Sequence, residues 1–213
     1  MFSEKNAAAG VTFARGFKAA GVKAGIKKSG NLDLAMIYTE KEASVAGVFT
    51  QNAVAAAPVI VSREVVKTGS AHAIVANAGC ANACTGEVGL ANAHKMAALA
   101  AEELGCKADD VLVGSTGIIG VNLPMDKLAA GIKAAAAELS EDGSKNAGNA
   151  IITTDTYSKA CSTEVEIGGK AVRFGAIAKG SGMIQPNMAT MLCYITTDAN
   201  ISSQLMQKAL SEI

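Results

Sequence analysis

The residue types around Thr190 are those that a nucleophilic site requires. Residues 179–198 combine a glycine-rich segment with the apolar run 191–195, and Thr190 lies at their junction. This pattern predicts a turn-rich loop that leads into a buried strand. A hydroxyl there, close to Lys179 and to several backbone N–H groups, could act as a nucleophile. A loop that only connects two elements has the same residue types, so this segment alone leaves both interpretations open.

Two further segments carry hydroxyls and backbone donors. Residues 114–120 read Gly-Ser-Thr-Gly-Ile-Ile-Gly after a short predicted strand at 111–113. Their N–H groups suit an anion or an oxyanion, and a tight connection would use the same residues. The glycine spacing is not that of the dinucleotide-binding pattern. Residues 153–156, Thr-Thr-Asp-Thr, predict either a turn or a shelf for a substrate.

The cysteines favour packing over metal binding. Cys80 and Cys84 have three residues between them, with His72 and His94 nearby in the sequence. Structural zinc sites usually have two or four residues between paired ligands, so two thiols in a tight loop are the better interpretation. The five cysteines are an odd number in hydrophobic settings, which indicates reduced thiols in or near the core.

The elements that must position these residues alternate between strands and helices. Leu90, Ala93, Ala97, Ala100 and Leu104 predict a helix that Gly105 closes, and Pro124 suits the first turn of a helix carrying Leu128 and Ile132. Predicted strands lie at 32–39, 44–51, 58–61 and 71–76, and a charged turn at 40–42 joins the first two. Residues 141–149 predict a surface loop or a frayed helix. A hairpin of 161–167 and 170–176 is predicted around two glycines, and a last helix begins at about 201. The lysines among residues 16–27 predict a solvated face rather than a site.

Composition excludes several classes of protein. The chain has 213 residues, of which 50% are apolar and only 4% aromatic, so the core is expected to consist of small aliphatic side chains. Basic and acidic residues both number 19, and the absence of a basic stripe argues against a nucleic-acid partner. The apolar runs are broken, for example by Pro58, which argues against a membrane span.

The two ends of the chain lead to separate expectations. The first six residues lack the pattern of a signal peptide, so a cytoplasmic location is expected. No repeat, linker or domain boundary is visible, which predicts a single domain over 1–213. The last helical pattern runs to Ile213 without a C-terminal glycine or a polar tail, which is the pattern of a fragment.

Four motifs in this order resemble the bifunctional glutamate N-acetyltransferase/ornithine acetyltransferase family of arginine biosynthesis. They are Ala-Asn-Ala-Cys-Thr-Gly at 81–86, Ser-Thr-Gly-Ile-Ile-Gly at 115–120, Thr-Thr-Asp-Thr at 153–156 and Lys-Gly-Ser-Gly-Met-Ile-Gln-Pro-Asn-Met-Ala-Thr-Met-Leu at 179–192, followed by Thr-Asp-Ala at 197–199. The resemblance covers nearly the whole chain and is far more specific than any one loop.

The resemblance implies a fold and a processing event. The expected fold is α+β, a four-layer αββα sandwich shared with certain aminopeptidases and incomplete at its C-terminus here. The family is made as a precursor that cuts itself at the bond matching Ala189–Thr190. Residues 1–189 would then be the α-chain region and 190–213 the start of the β-chain region, usually in an α2β2 assembly.

The resemblance also implies residue roles. Thr190 matches the nucleophile, Thr116 and Gly117 match the oxyanion hole, and Thr153, Lys179 and Thr190 match substrate-contacting positions. The acetyl group would pass from N-acetylornithine to glutamate through an acetyl-threonine, with acetyl-CoA as a second candidate donor and without metal or organic cofactor. Because the family continues well beyond Ile213, the chain is expected to need the remainder of the β chain for activity.

Three alternatives remain beside this interpretation. An amidohydrolase or aminopeptidase on the same scaffold would pass the acyl group to water instead of glutamate. A phosphate-binding module would use the glycine-rich loops, but Lys179-Gly180-Ser181 reverses the order of a P-loop. An inactive fragment or assembly subunit would use none of these residues chemically.

Overall fold

Two β-sheets pack against each other in the computed structural model, which describes residues 9–181 and 190–212. The first sheet has the strand order β1 (Phe17–Val22), β2 (Leu34–Ser44), β3 (Ser70–Cys80) and β4 (Val111–Ile118). The second has the order β5 (Lys159–Ile167), β6 (Lys170–Lys179) and β7 (Leu192–Thr197). All neighbouring strands are antiparallel except β3 and β4, which are parallel. The helices are α1 (Ala57–Thr68), α2 (Gly86–Leu104), α3 (Met125–Ala137), α4 (Ser144–Ile151) and α5 (Ser203–Glu212).

Both faces of the first sheet are buried because its strands carry apolar residues on alternating sides. In β2, Leu34 and Met36 enter one core with residues of α1, α2 and α3. Ala35 and Ile37, which point to the other face, enter a second core with residues of α4 and with Ile177 of β6. Because side chains alternate between the two faces of a strand, the first sheet packs against a helical layer on one face and against the second sheet on the other.

The layers confirm the α+β sandwich. Helices α1–α3 cover one face of the first sheet, and the second sheet with α4 covers the other. The predicted hairpin is confirmed, since β5 and β6 pair across Gly168 and Gly169. Helix α2 is also confirmed, and Gly105 ends it with a φ of 69° in the left-handed region, where glycine avoids a steric cost.

The strand predicted at 58–61 is wrong, because these residues form the start of α1. Pro58 lies in the first turn, where its missing N–H costs nothing, and Gly69 ends the helix with a positive φ. Ser62 fixes the helix against the edge strand β4. Its hydroxyl donates to the Val113 carbonyl at 2.7 Å and accepts the Val113 N–H at 2.9 Å. This tertiary contact outweighs the strand preference of the β-branched run.

Several predicted boundaries are also wrong. Strand β2 continues through the predicted turn at 40–42 with an irregular register, and the strand predicted at 44–51 ends at Ser44. Strand β4 includes most of the predicted loop 114–120. Within 141–149, predicted as a surface loop or frayed helix, the helical alternative is confirmed because α4 begins at Ser144, but this helix enters the second core, where Ala147 is buried. These segments contain many glycine and alanine residues, which weaken the local signal.

The strand after Thr190 and the cysteines differ from expectation in burial. Strand β7 exists, but Met191 and Ile195 are exposed, so the run 191–195 is not a buried strand. All five cysteines are free. Cys80 is buried and Cys106 half-buried, whereas Cys84, Cys161 and Cys193 are exposed. The prediction of core thiols is therefore correct for only two of them.

Among the helices of the described residues, none combines the length and apolar character that a membrane span requires.

The second core makes a testable prediction about stability. Ile177 is fully buried between the sheets, so Ile177→Ala should lower the free energy of unfolding by about 2–4 kcal/mol through lost burial and a cavity. Ile167→Ala, at a position 56% exposed in the same hairpin, should cost less than about 1 kcal/mol. Denaturant unfolding followed by circular dichroism measures both. Equal losses would contradict this placement of the core.

Candidate active site

Lys179 joins the two sheets at the ends of two strands. It is the last residue of β6, and its Nζ donates a hydrogen bond to Oγ1 of Thr116, near the end of β4, at 3.0 Å. The side chain is almost fully enclosed, with the residue only 5% exposed. Two of the residues singled out from the sequence therefore meet, although they are far apart in the chain.

Gly117 allows the backbones of β3 and β4 to approach closely. Its φ is 132°, and a Cβ there would lie 2.4 Å from the carbonyl carbon of Gly79. The β3–β4 register also becomes irregular at Gly79 and Cys80. Such irregularities change the direction of backbone and side-chain groups at the end of a strand. Backbone N–H donors can therefore point away from the strand pairing beside Thr116.

Asn77 holds these strand ends together and was missed in the sequence. It is fully buried, its Nδ2 donates to the Cys80 carbonyl at 2.9 Å, and its Oδ1 accepts the Ser115 hydroxyl at 2.6 Å. The available signal was an amide side chain at the end of an apolar run. A buried amide is stable only when its donors and acceptors are bonded.

Asp155 connects the segment 153–156 to the residue after Lys179. Its side chain is fully buried, and Oδ1 accepts hydrogen bonds from Lys159 Nζ at 2.6 Å and from the Gly180 N–H at 2.8 Å. Oδ2 accepts the Thr153 N–H at 3.4 Å. Thr153 is thus tied through one carboxylate to the backbone beside Lys179.

Burial, hydrogen bonds and neighbouring charges shift the pKa values of Asp155 and Lys179. Burial alone would raise the pKa of Asp155, but the hydrogen bond from Lys159 and the N–H groups of Gly180 and Thr153 lower it to about 2. The pKa of Lys179 is lowered, chiefly by burial and further by the positive charge of Lys159, against the opposing effect of Asp155. The site thus combines a firmly ionised carboxylate with an amine that is easier to deprotonate than an ordinary lysine.

Thr190 lies at the start of the strand next to Lys179. Leu192, the first residue of β7, pairs with Lys179, and Thr190 precedes it by two residues. Thr190 is exposed and has a φ of 62°. This left-handed conformation is strained for a β-branched residue. Ala189, the other residue of the expected cleavage point, lies outside the described residues.

The side chain of Tyr194 in β7 contacts β4. The hydroxyl of Tyr194 is buried close to Gly114, so that a Cβ on Gly114 would lie 2.1 Å from it. Gly114 precedes Thr116 by two residues, and Tyr194 follows Thr190 by four. A side chain of the strand that begins after Thr190 therefore reaches the strand that carries Thr116.

The motif at 81–86 forms a tight loop before α2. Asn82 has a φ of 48°, its Nδ2 donates to the Gly89 carbonyl at 2.9 Å, and its Oδ1 accepts the Thr85 hydroxyl at 2.8 Å. In the described part of the chain, no three histidine, cysteine or acidic side chains are grouped closely enough to hold a metal ion.

Comparisons with known proteins agree on one family. The model of the ArgJ family matches residues 18–213. The arginine biosynthesis bifunctional protein ArgJ of Symbiobacterium thermophilum is 52% identical over 207 residues, which are 96% of this chain and 52% of that protein. The corresponding protein of Lactococcus lactis is 52% identical over 201 residues, with coverages of 93% and 50%. The chain thus spans about half the length of the curated relatives it matches.

Solved structures agree with this result. The crystal structure of the arginine biosynthesis bifunctional protein from Bacillus halodurans has a TM-score of 0.79 and 43% identity, and the match covers 84% of this chain and 94% of that one. Ornithine acetyltransferase from Mycobacterium tuberculosis, complexed with ornithine, has a TM-score of 0.77 and 42% identity, with coverages of 84% and 96%. An L-aminopeptidase D-Ala-esterase/amidase from Ochrobactrum anthropi, described as a variant of the Ntn hydrolase fold, has a TM-score of 0.54 at 11% identity and shows the fold alone.

The buried carboxylate predicts how stability depends on pH. The pKa of Asp155 is about 2 in the folded state and 3.8 for an ordinary aspartate, so folding favours its ionised form. The stabilisation, about 2 kcal/mol, is complete above about pH 5 and is lost as the pH falls through about 2. Asp155→Asn should therefore be less stable at pH 7, and its disadvantage should shrink towards pH 2. Unfolding titrations between pH 7 and pH 2 measure this, with the exposed Asp142→Asn as the control. A disadvantage that stays constant over this range would contradict the assignment.

Proposed function

The chain belongs to the ArgJ family, and on this premise we propose that it forms the first part of a self-cleaving acetyltransferase whose nucleophile is an N-terminal threonine. The complete protein moves an acetyl group from N-acetylornithine to glutamate in arginine biosynthesis. One observation carries the proposal for this chain, namely the contact of Lys179 with Thr116 beside the start of β7. This contact brings the Thr116 hydroxyl, the Lys179 ammonium and the start of β7 close together.

Cleavage comes first in this proposal. The Thr190 hydroxyl attacks the carbonyl carbon of Ala189, the C–N bond breaks, and the departing nitrogen takes a proton to become the α-amino group of Thr190. Water then hydrolyses the resulting ester, which frees the hydroxyl and leaves a carboxylate on Ala189. The lengths of the crystallised relatives support a split into separate chains. This chain covers 94–96% of those chains but only about half of the curated proteins, so the crystallised chains are about half as long as the curated sequences.

Acetyl transfer uses the amine that cleavage creates. A threonine hydroxyl needs a base, and an α-amino group with a pKa of about 8 supplies one on the same residue. The hydroxyl attacks the acetyl carbonyl of N-acetylornithine, ornithine leaves with a proton, and the amine of glutamate then takes the acetyl group from the threonine. N–H and hydroxyl donors at Thr116 and Gly117 stabilise the oxyanion in both steps, at about 3–4 kcal/mol per donor in comparable sites.

Substrates and partners follow from the same proposal. Thr153 and Lys179 contact the substrate, with the Lys179 ammonium facing a carboxylate. The Mycobacterium tuberculosis relative complexed with ornithine supports a site for that amino acid. Acetyl-CoA is a second candidate donor, and no metal or organic cofactor takes part. The remainder of the β chain completes the site, and the protein works in the cytoplasm as an α2β2 assembly.

Removal of the hydroxyl should abolish both reactions. In the full-length protein, Thr190→Ala is expected to remain a single chain and to release no ornithine, because the nucleophile is missing. Thr190→Ser keeps a hydroxyl and should cleave and transfer at a reduced rate. Intact mass measures cleavage, and chromatography of the amino acids measures transfer. A Thr190→Ala protein that still splits at residue 189 would refute the assignment of the nucleophile.

The acceptor distinguishes a transferase from a hydrolase. Mature full-length protein should release ornithine from N-acetylornithine continuously when glutamate is present and form N-acetylglutamate in equal amount. Without glutamate, it should release about one ornithine per active site and then slow sharply, because the acetyl-enzyme accumulates. Ornithine release that continues at the same rate without glutamate would show that water is the acceptor.

A further inference from the structure

A buried carboxylate fixes the loop that carries Lys27. Asp33 is fully buried, and its side chain accepts the N–H groups of Ala24 at 2.6 Å, Ile26 at 2.6 Å and Lys27 at 2.8 Å. Three charge-assisted hydrogen bonds to one side chain leave this loop little freedom. The position of Lys27 is therefore determined by the fold, and the sequence-based prediction of a solvated face for this lysine is wrong, because the residue is half-buried.

The stem of Lys27 lies against Gly79, near the end of β3. A Cβ placed on Gly79 would lie 3.3 Å from Cγ of Lys27, so the side chain passes over this glycine. Gly79 is also the residue whose carbonyl carbon lies 2.4 Å from the position of a Cβ on Gly117. The backbone of Gly79 thus lies next to both the Lys27 side chain and Gly117, the residue matched to the oxyanion hole.

The ammonium of Lys27 has a neutral partner in the described part of the chain. Its Nζ donates to the Leu32 carbonyl at 2.6 Å, which leaves further N–H donors of the ammonium available. Burial lowers the pKa of Lys27, Asp33 opposes this effect, and the nearby positive charge of Lys179 lowers the pKa further. The positive charge of Lys179 thus acts on the pKa of Lys27 in the same direction as burial.

The carboxylates near these two lysines are already bonded. Asp33 accepts three backbone N–H groups, and Asp155 accepts Lys159 and the Gly180 N–H. Lys179 donates to the Thr116 hydroxyl, which is also neutral. Two lysines with neutral partners therefore lie beside the adjacent strand ends that carry Gly79 and Thr116, and an anion bound between them would offset both positive charges.

We propose that Lys27 is a second cationic residue of the substrate site and that it binds the side-chain carboxylate of the acceptor amino acid. This inference rests on the proposed function. Glutamate carries two carboxylates, whereas N-acetylornithine carries one carboxylate and a side-chain ammonium. A second cation beside Lys179 therefore favours the acceptor and disfavours the donor's ammonium at the same place. Lys27 is in this sense a residue that determines specificity, and it takes no part in bond making.

The test separates the two substrates kinetically in the mature full-length protein. Lys27→Gln should raise the KM for glutamate about tenfold, the value of one charge-assisted hydrogen bond. It should leave the KM for N-acetylornithine unchanged or lower it, because a positive charge that opposes the donor's ammonium is removed. Lys27→Arg keeps the charge and should recover much of the lost affinity for glutamate. Lys28→Gln, which removes an exposed charge from the next residue, should change neither constant.

Direct binding keeps this test independent of turnover. Calorimetric titration with glutamate should show weaker binding to Lys27→Gln than to the unaltered protein, and circular dichroism confirms that each variant is folded. A Lys27→Gln protein that affects both substrates equally, or neither, would overturn the inference while the proposed function stands. If the unaltered protein transfers no acetyl group, the proposed function fails, and the calorimetric comparison still decides whether Lys27 contacts the carboxylate.

Discussion

The buried carboxylate of Asp155 is the interaction on which the candidate site depends. It joins three separate pieces of backbone and side chain, since it accepts the N–H groups of Thr153 and Gly180 and the ammonium of Lys159. A carboxylate is stable in such a position only because each oxygen is bonded to a donor. Gly180 directly follows Lys179, so the same carboxylate fixes the backbone beside the Lys179–Thr116 contact.

Small residues are the second constraint, because they let the layers of the sandwich approach one another. Gly117 against Gly79 brings β4 to β3, and Gly114 makes room for the Tyr194 hydroxyl from β7. Only 4% of the residues are aromatic and 22 are glycine, so close backbone contact replaces large side chains at these places. The composition that weakens local prediction is thus the composition that the site geometry requires.

The sequence predicted features that arise from local signals. The two glycines of the β5–β6 hairpin and Gly105 at the end of α2 are local signals, and both elements are present. Helix α1 was missed because its position depends on Ser62 bonding to Val113, which lies 51 residues away. Candidate site residues could be chosen from the motifs, since Lys179 and Thr116 do meet. Asn77 and Lys27 were not recognised as parts of the site, and Asp155 was noted only within the motif 153–156. The contacts that place them at the site involve other segments, namely Ser115 for Asn77, Gly180 for Asp155 and Gly79 for Lys27.

The conformation of Thr190 connects the geometry to the proposed cleavage. Its φ of 62° is a rotation about the N–Cα bond and is defined only when a carbonyl carbon precedes the nitrogen. A β-branched residue in this region is strained by about 1–2 kcal/mol. Hydrolysis of the 189–190 bond removes the preceding carbonyl and therefore the strained torsion itself. The amine that is released remains next to the first residue of β7, which pairs with Lys179. In this scheme, the step that creates the base also relieves local strain, without moving the nucleophile away from the strand that positions it.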